Sequence, residues 1–162
     1  MVAILNRVIA AAAVCLLSAC AGQNGGAAAS YPQSVAGRDL RFDVLEPQPL
    51  EAGRCGLYVW AQSAQQPLFI AVAYNNPAQV HVRIDGRDRV LPRTGFDGNP
   101  NSGHFEVQTF EDRTISLTLD VTFDLERPLR DGASIRSGVM RVRDREGWET
   151  IVPIGGLLAC AS

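Results

Sequence analysis

Polar and apolar residues alternate along most of this chain with a period of two, the signature of strands with one buried face. The clearest run is 114–126. Ile115, Leu117, Leu119, Val121, Phe123 and Leu125 fall on one face; Thr114, Ser116, Thr118, Asp120, Thr122, Asp124 and Glu126 fall on the other. A helix would scatter both sets around its circumference. Leu40, Phe42 and Val44 begin the same pattern, which Pro47 and Pro49 interrupt, as expected of a first or edge strand. Residues 55–60 (CGLYVW) and 67–74 (PLFIAVAY) are apolar on both faces and predict central strands.

Val80, Val82 and Ile84 alternate with His81, Arg83 and Asp85, and Asp85-Gly86 predicts a hairpin returning through 87–91. Residues 92–103 (PRTGFDGNPNSG) read as a long irregular loop, and such loops are functional or disordered. Strand character resumes at His104-Phe105-Glu106-Val107. Further strands are expected over 134–144, with a bulge at Gly138, and over 148–160. The reading is an all-β fold: a single antiparallel sandwich or small barrel of eight or nine strands.

The first twenty residues break this pattern. Arg7 precedes an apolar run of roughly ten residues, the length of a secretory signal and short of a membrane span. Leu17-Ser18-Ala19-Cys20 then resembles the lipobox of bacterial lipoproteins. The resemblance implies cleavage before Cys20, acylation of Cys20 and attachment to the cell envelope. By the same resemblance, Ala21 after the acceptor implies an outer-membrane lipoprotein facing the periplasm. Residues 21–36, rich in Gly, Ala, Ser and Gln, cannot build a core and read as a flexible tether spanning roughly 20–25 Å. The expected organisation is a signal peptide over 1–19, a lipidated cysteine and tether over 20–37, and a β domain over 38–162.

The four cysteines then sort themselves. Cys15 leaves with the signal and Cys20 carries lipid, so Cys55 and Cys160 remain in an oxidising compartment, where a disulfide is expected. All fifteen basic residues are arginine. Without Arg7, fourteen of them face seventeen carboxylates, a mildly acidic balance that offers no footprint for nucleic acid.

Candidate chemistry is sparse. There are two histidines. His81 falls on a polar strand face. His104 shares a strand face with Glu106, a pair able to supply two metal ligands, or a base and its orienting acid, in a metal-dependent or hydrolytic enzyme. No nucleophile elbow, zinc-protease helix or phosphate loop accompanies it. Asp120, Asp124 and Glu126 are expected to face Arg136, Arg141 and Arg143 across an antiparallel pair.

From Cys55 onward the order of features resembles the periplasmic lipoproteins that inhibit c-type lysozyme: Cys55, Pro67-Leu68, Asn75-Asn76-Pro77, Asp85-Gly86, and Ser102-Gly103 before Phe105. That resemblance implies a lipid-anchored small barrel with one long-range disulfide, whose Ser-Gly loop enters the lysozyme cleft. The functional expectation is a non-enzymatic binding or structural module of the envelope, without a cofactor. It would be held to the membrane by its lipid and would recognise a protein or cell-wall partner. The 92–103 region, with Arg93, Phe96, Asp97, Asn99, Asn101 and Ser102, together with the adjoining His104, is the candidate binding loop.

Overall fold

The computed structural model describes residues 34–36, 40–62 and 66–162. The signal, Cys15, Cys20 and most of the tether lie outside the described residues. The strands are β1 (Ser34–Ala36), β2 (Arg41–Asp43), β3 (Cys55–Ala61), β4 (Leu68–Asn75), β5 (Ala78–Ile84), β6 (Arg87–Asn101), β7 (His104–Glu111), β8 (Ile115–Leu129), β9 (Gly132–Asp144) and β10 (Glu149–Cys160). All are antiparallel to their neighbours. From β3 to β10 each strand pairs with the next, and β10 returns to pair with β3. Eight strands therefore close an up-and-down barrel, which leaves no edge within the ring. β2 lies against β5 at Phe42 and Ile84, and β1 pairs with β2. β1 falls inside the segment read as tether.

An eight-stranded barrel has an interior just wide enough for side chains to fill it. Here Leu57, Val59, Ile70, Val80, Val82, Leu91, Phe110, Leu117, Leu119, Met140, Val142, Ile154 and Leu158 do so, each completely buried. The period-two pattern of β8 enters this core through Ile115, Leu117, Leu119, Val121 and Phe123. Phe42 joins the core from β2, at the mouth beside the Asp85-Gly86 turn. Both turn residues have positive φ, 50° and 73°, as the Asp-Gly pair predicts. β2 is clamped there: Arg41 N donates to Asp85 Oδ1 at 3.1 Å and Gly86 N to Asp43 Oδ2 at 2.6 Å.

β4 is apolar on both faces because a strap covers its outer side. After β2 the chain runs along the wall to β3, and Leu45 and Leu50 pack on Val72, Tyr74, Tyr58 and Phe69. Leu45 N donates to Phe69 O at 2.9 Å, and the Tyr74 hydroxyl donates to Pro49 O at 2.8 Å.

The 92–103 segment is not a loop. β6 continues through it to Asn101, and the connection to β7 is a two-residue turn, Ser102-Gly103, with φ of 48° and 81°. Gly, Asn and Pro are tolerated because β6 pairs on one side at a time, with β5 up to Pro92 and with β7 from Arg93. Register shifts at Arg93/Gly95 and Asp97/Pro100 absorb the irregular residues as bulges. The bulge expected at Gly138 falls instead at Arg136, the extra residue between Ile135 and Ser137, while Gly138 pairs in register with Val121 of β8.

The outward carboxylates of β8 meet arginines of β9. Arg141 reaches Asp120 at 3.3 Å, and Arg136 reaches both Asp124 and Glu126 at 3.1 Å. Arg143 turns instead to Glu149 of β10, at 3.4 Å.

Candidate binding surface at the disulfide end of the barrel

Antiparallel alternation brings the start of β3, the end of β4, the β6–β7 turn and the end of β10 to one mouth. Cys55 and Cys160 stand opposite each other in the β3–β10 register and are joined by a disulfide, with Cα atoms 4.0 Å apart. The bond lies on the seam that closes the barrel.

His104, the first residue of β7, is completely buried and reaches across this mouth to β3. Its Nε2 is 3.3 Å from the Cys55 carbonyl oxygen. A carbonyl only accepts, so the neutral ring carries its proton on Nε2, and Nδ1 is left buried without a partner. Burial pushes the His104 pKa down to about 4; the hydrogen bond to the Cys55 carbonyl opposes it, and the Arg93 charge acts in the same direction as burial. Gln108, two turns of the pleat further along the same face, is also completely buried. Its Oε1 accepts from Arg93 Nη1 at 2.9 Å, while its Nε2 has no partner.

Arg93 links this buried cluster to the outside. Nη1 also donates to Gly103 O at 3.0 Å. Its guanidinium lies 5.4 Å from the Phe96 ring centre and 5.2 Å from that of Phe105. The two rings stack at 4.1 Å with 25° between their planes. Phe96 is 61% exposed, so an arginine–aromatic stack sits on the outside of the hairpin with its base anchored inside the barrel.

The rest of the hairpin is held by its own polar residues. Glu106 Oε2 accepts from both the backbone N and Nδ2 of Asn99, at 3.0 and 3.1 Å. Asp97 Oδ1 accepts from Gly98 N at 2.8 Å, and Asn101 Oδ1 from the Ser102 hydroxyl at 3.3 Å. Asn75, at the end of β4, ties the turn down: its Nδ2 donates to Ser102 O at 3.3 Å and its Oδ1 accepts from Cys55 N at 3.0 Å.

The expected binding residues are thus gathered on one hairpin, but in two roles. Phe96 faces solvent; Arg93 and His104 are fastenings. His104 and Glu106 serve separate neighbours, the Cys55 carbonyl and Asn99, and no contact joins them. Among the described residues no group of three or more His, Cys, Asp or Glu is placed to share a metal ion. Two members were missed in the sequence. Gln108 was legible as a polar residue on the buried face between His104 and Phe110, whereas Asn75 looked like any turn residue.

No protein family, no curated protein and no solved structure matches this chain.

Proposed function

We propose that the chain is a lipid-anchored envelope lipoprotein acting as a non-enzymatic binding module, with the β6–β7 hairpin as its recognition edge. The observation that carries this reading is the exposed stack of Phe96 on Phe105 with the Arg93 guanidinium against both rings. Aromatic and arginine side chains held rigid before binding lose little entropy on association, and such residues dominate interface energetics. The anchor is read from the resemblance of Leu17-Ser18-Ala19-Cys20 to a lipobox, and Ala21 after it supports an outer-membrane position facing the periplasm.

A photo-crosslinker at Thr94, exposed beside Phe96 on the hairpin, tests the recognition edge in living cells. One discrete partner adduct is expected there and none with the crosslinker at Arg113, at the opposite mouth. An unchanged set of captured partners in a Phe96→Ala, Phe105→Ala double variant would overturn it. Palmitate labelling lost in Cys20→Ser tests the anchor.

A second reading, inhibition of c-type lysozyme, draws on the small closed barrel, the seam disulfide and Ser102-Gly103 at the hairpin turn. A lysozyme lysis assay decides it: undiminished lysis with excess protein would remove the idea.

A further inference from the structure

A second surface lies on the barrel wall, apart from the hairpin. Tyr58 and Trp60 point outward from β3, and Phe69, paired with Trp60, points outward from β4 against both rings. The Tyr58 and Phe69 ring centres are 6.0 Å apart, those of Phe69 and Trp60 5.3 Å. The three rings form one cluster, bordered on the Tyr58 and Phe69 side by the strap. Trp60 has a shallow hollow on each side. One is lined by Gln62, Pro67, Gly155, Gly156 and Leu157, the other by Pro47, Gln48, Tyr58 and Phe69.

Three features narrow the occupant. First, no charged side chain lines either hollow among the described residues, while a carboxamide stands in each, Gln62 and Gln48. An anionic headgroup or a charged peptide would find no counter-charge there. Second, the two glycines of the wall differ. A Cβ on Gly156 would lie 2.0 Å from the Tyr58 carbonyl oxygen, so strand packing demands that glycine. The nearest atoms to a Cβ on Gly155 belong to Gln62, its amide nitrogen at 2.6 Å being the movable end of a flexible side chain. Gly155 pairs directly with Trp60, and its missing side chain leaves the place beside that ring to the Gln62 amide, which a Cβ there would displace. Third, the hollows repeat on either side of one indole, which suits a ligand that is itself a chain of similar units.

A pyranose chain has this chemistry. Its C–H faces carry partial positive charge and rest on the negative faces of aromatic rings, while its hydroxyls take hydrogen bonds from neutral amides. We infer that the Tyr58–Phe69–Trp60 wall is a binding site for a neutral glycan chain, with Trp60 between two sugar-binding hollows and Gln62 and Gln48 as polar partners.

The test uses the full chain in lipid nanodiscs, with Trp148→Phe leaving Trp60 as the single tryptophan reporter of the two in the sequence. It is titrated with the tetrasaccharide of β-1,4-linked N-acetylglucosamine and with cellotetraose, followed by fluorescence and calorimetry. Saturable binding of at least one sugar is expected, insensitive to salt and to Phe96→Ala, and weaker by about tenfold in Gly155→Ala and Trp60→Ala. Gly155→Ala guards against a Trp60→Ala variant that fails to fold. Preference between the two sugars separates an amino-sugar glycan from an unsubstituted one. No saturation by either sugar at millimolar concentration would overturn the inference. So would affinity unchanged in Gly155→Ala, or a Trp60 signal that follows protein concentration instead of sugar and marks contact with a second copy.

Discussion

His104 Nε2 stands 3.3 Å from the carbonyl oxygen of Cys55 across the mouth of the barrel, joining β7 to the strand diametrically opposite it in the eight-strand ring. Burial and the nearby Arg93 charge keep this ring neutral, against the pull of the Cys55 carbonyl, which favours the protonated form.

Stability should therefore fall on acidification. The folded His104 pKa is about 4 against an ordinary value of 6.5, so the unfolded chain binds the extra proton between those limits. The contribution of His104 is complete above pH 6.5, declines as the pH falls, and is lost at about pH 4, a total on the order of 3 kcal/mol. Urea denaturation at pH 7 and pH 4.5 checks this. The wild type should lose more stability than His104→Phe over that interval; equal losses would contradict the assignment.

Reducing the Cys55–Cys160 bond releases a crosslink between residues 105 apart in sequence. In the chain-entropy account the loss is on the order of 4–5 kcal/mol, so a Cys55→Ala, Cys160→Ala variant should unfold at much lower denaturant. The seam should exchange amide hydrogens first, beginning at the β3–β10 pair. A denaturation midpoint unmoved by reductant would argue against a staple role.

Asn75→Ala should cost about 1–3 kcal/mol, since Cys55 N loses its acceptor in a partly buried place and Ser102 O loses its donor. Hydrogen exchange at Cys55 and through the β6–β7 turn should rise together. Faster exchange at only one of the two sites would show that Asn75 does not couple them.

Two turn glycines separate backbone strain from crowding. Gly86 and Gly103 both have positive φ, 73° and 81°. A Cβ on Gly86 meets nothing within 4 Å, whereas one on Gly103 would lie 3.0 Å from the Asn75 Cβ. Gly86→Ala should cost about 1 kcal/mol from conformation alone, and Gly103→Ala measurably more. Equal costs by thermal denaturation would mean that the Asn75 contact relaxes freely.

The period-two run made β8 legible residue by residue from Ile115 to Phe123, though beyond it Leu125, read as inward, is exposed and Asp124 is buried. Asp85-Gly86 made its hairpin legible, because both depend on local sterics and on one side chain in two facing a core. The pairing of Cys55 with Cys160 was legible by elimination, through chemistry and compartment. Closure was not, since whether the last strand returns to the first depends on twist and register accumulated over eight strands. The same limit concealed β6. Gly95, Gly98, Asn99 and Pro100 have loop composition, and only pairing with β7 through two bulges makes them strand. Likewise His104 and Glu106 share a face by spacing, yet the first lies under the hairpin and the second on its rim. Local pattern decides which way a side chain points; the partners waiting there are supplied by strands dozens of residues away.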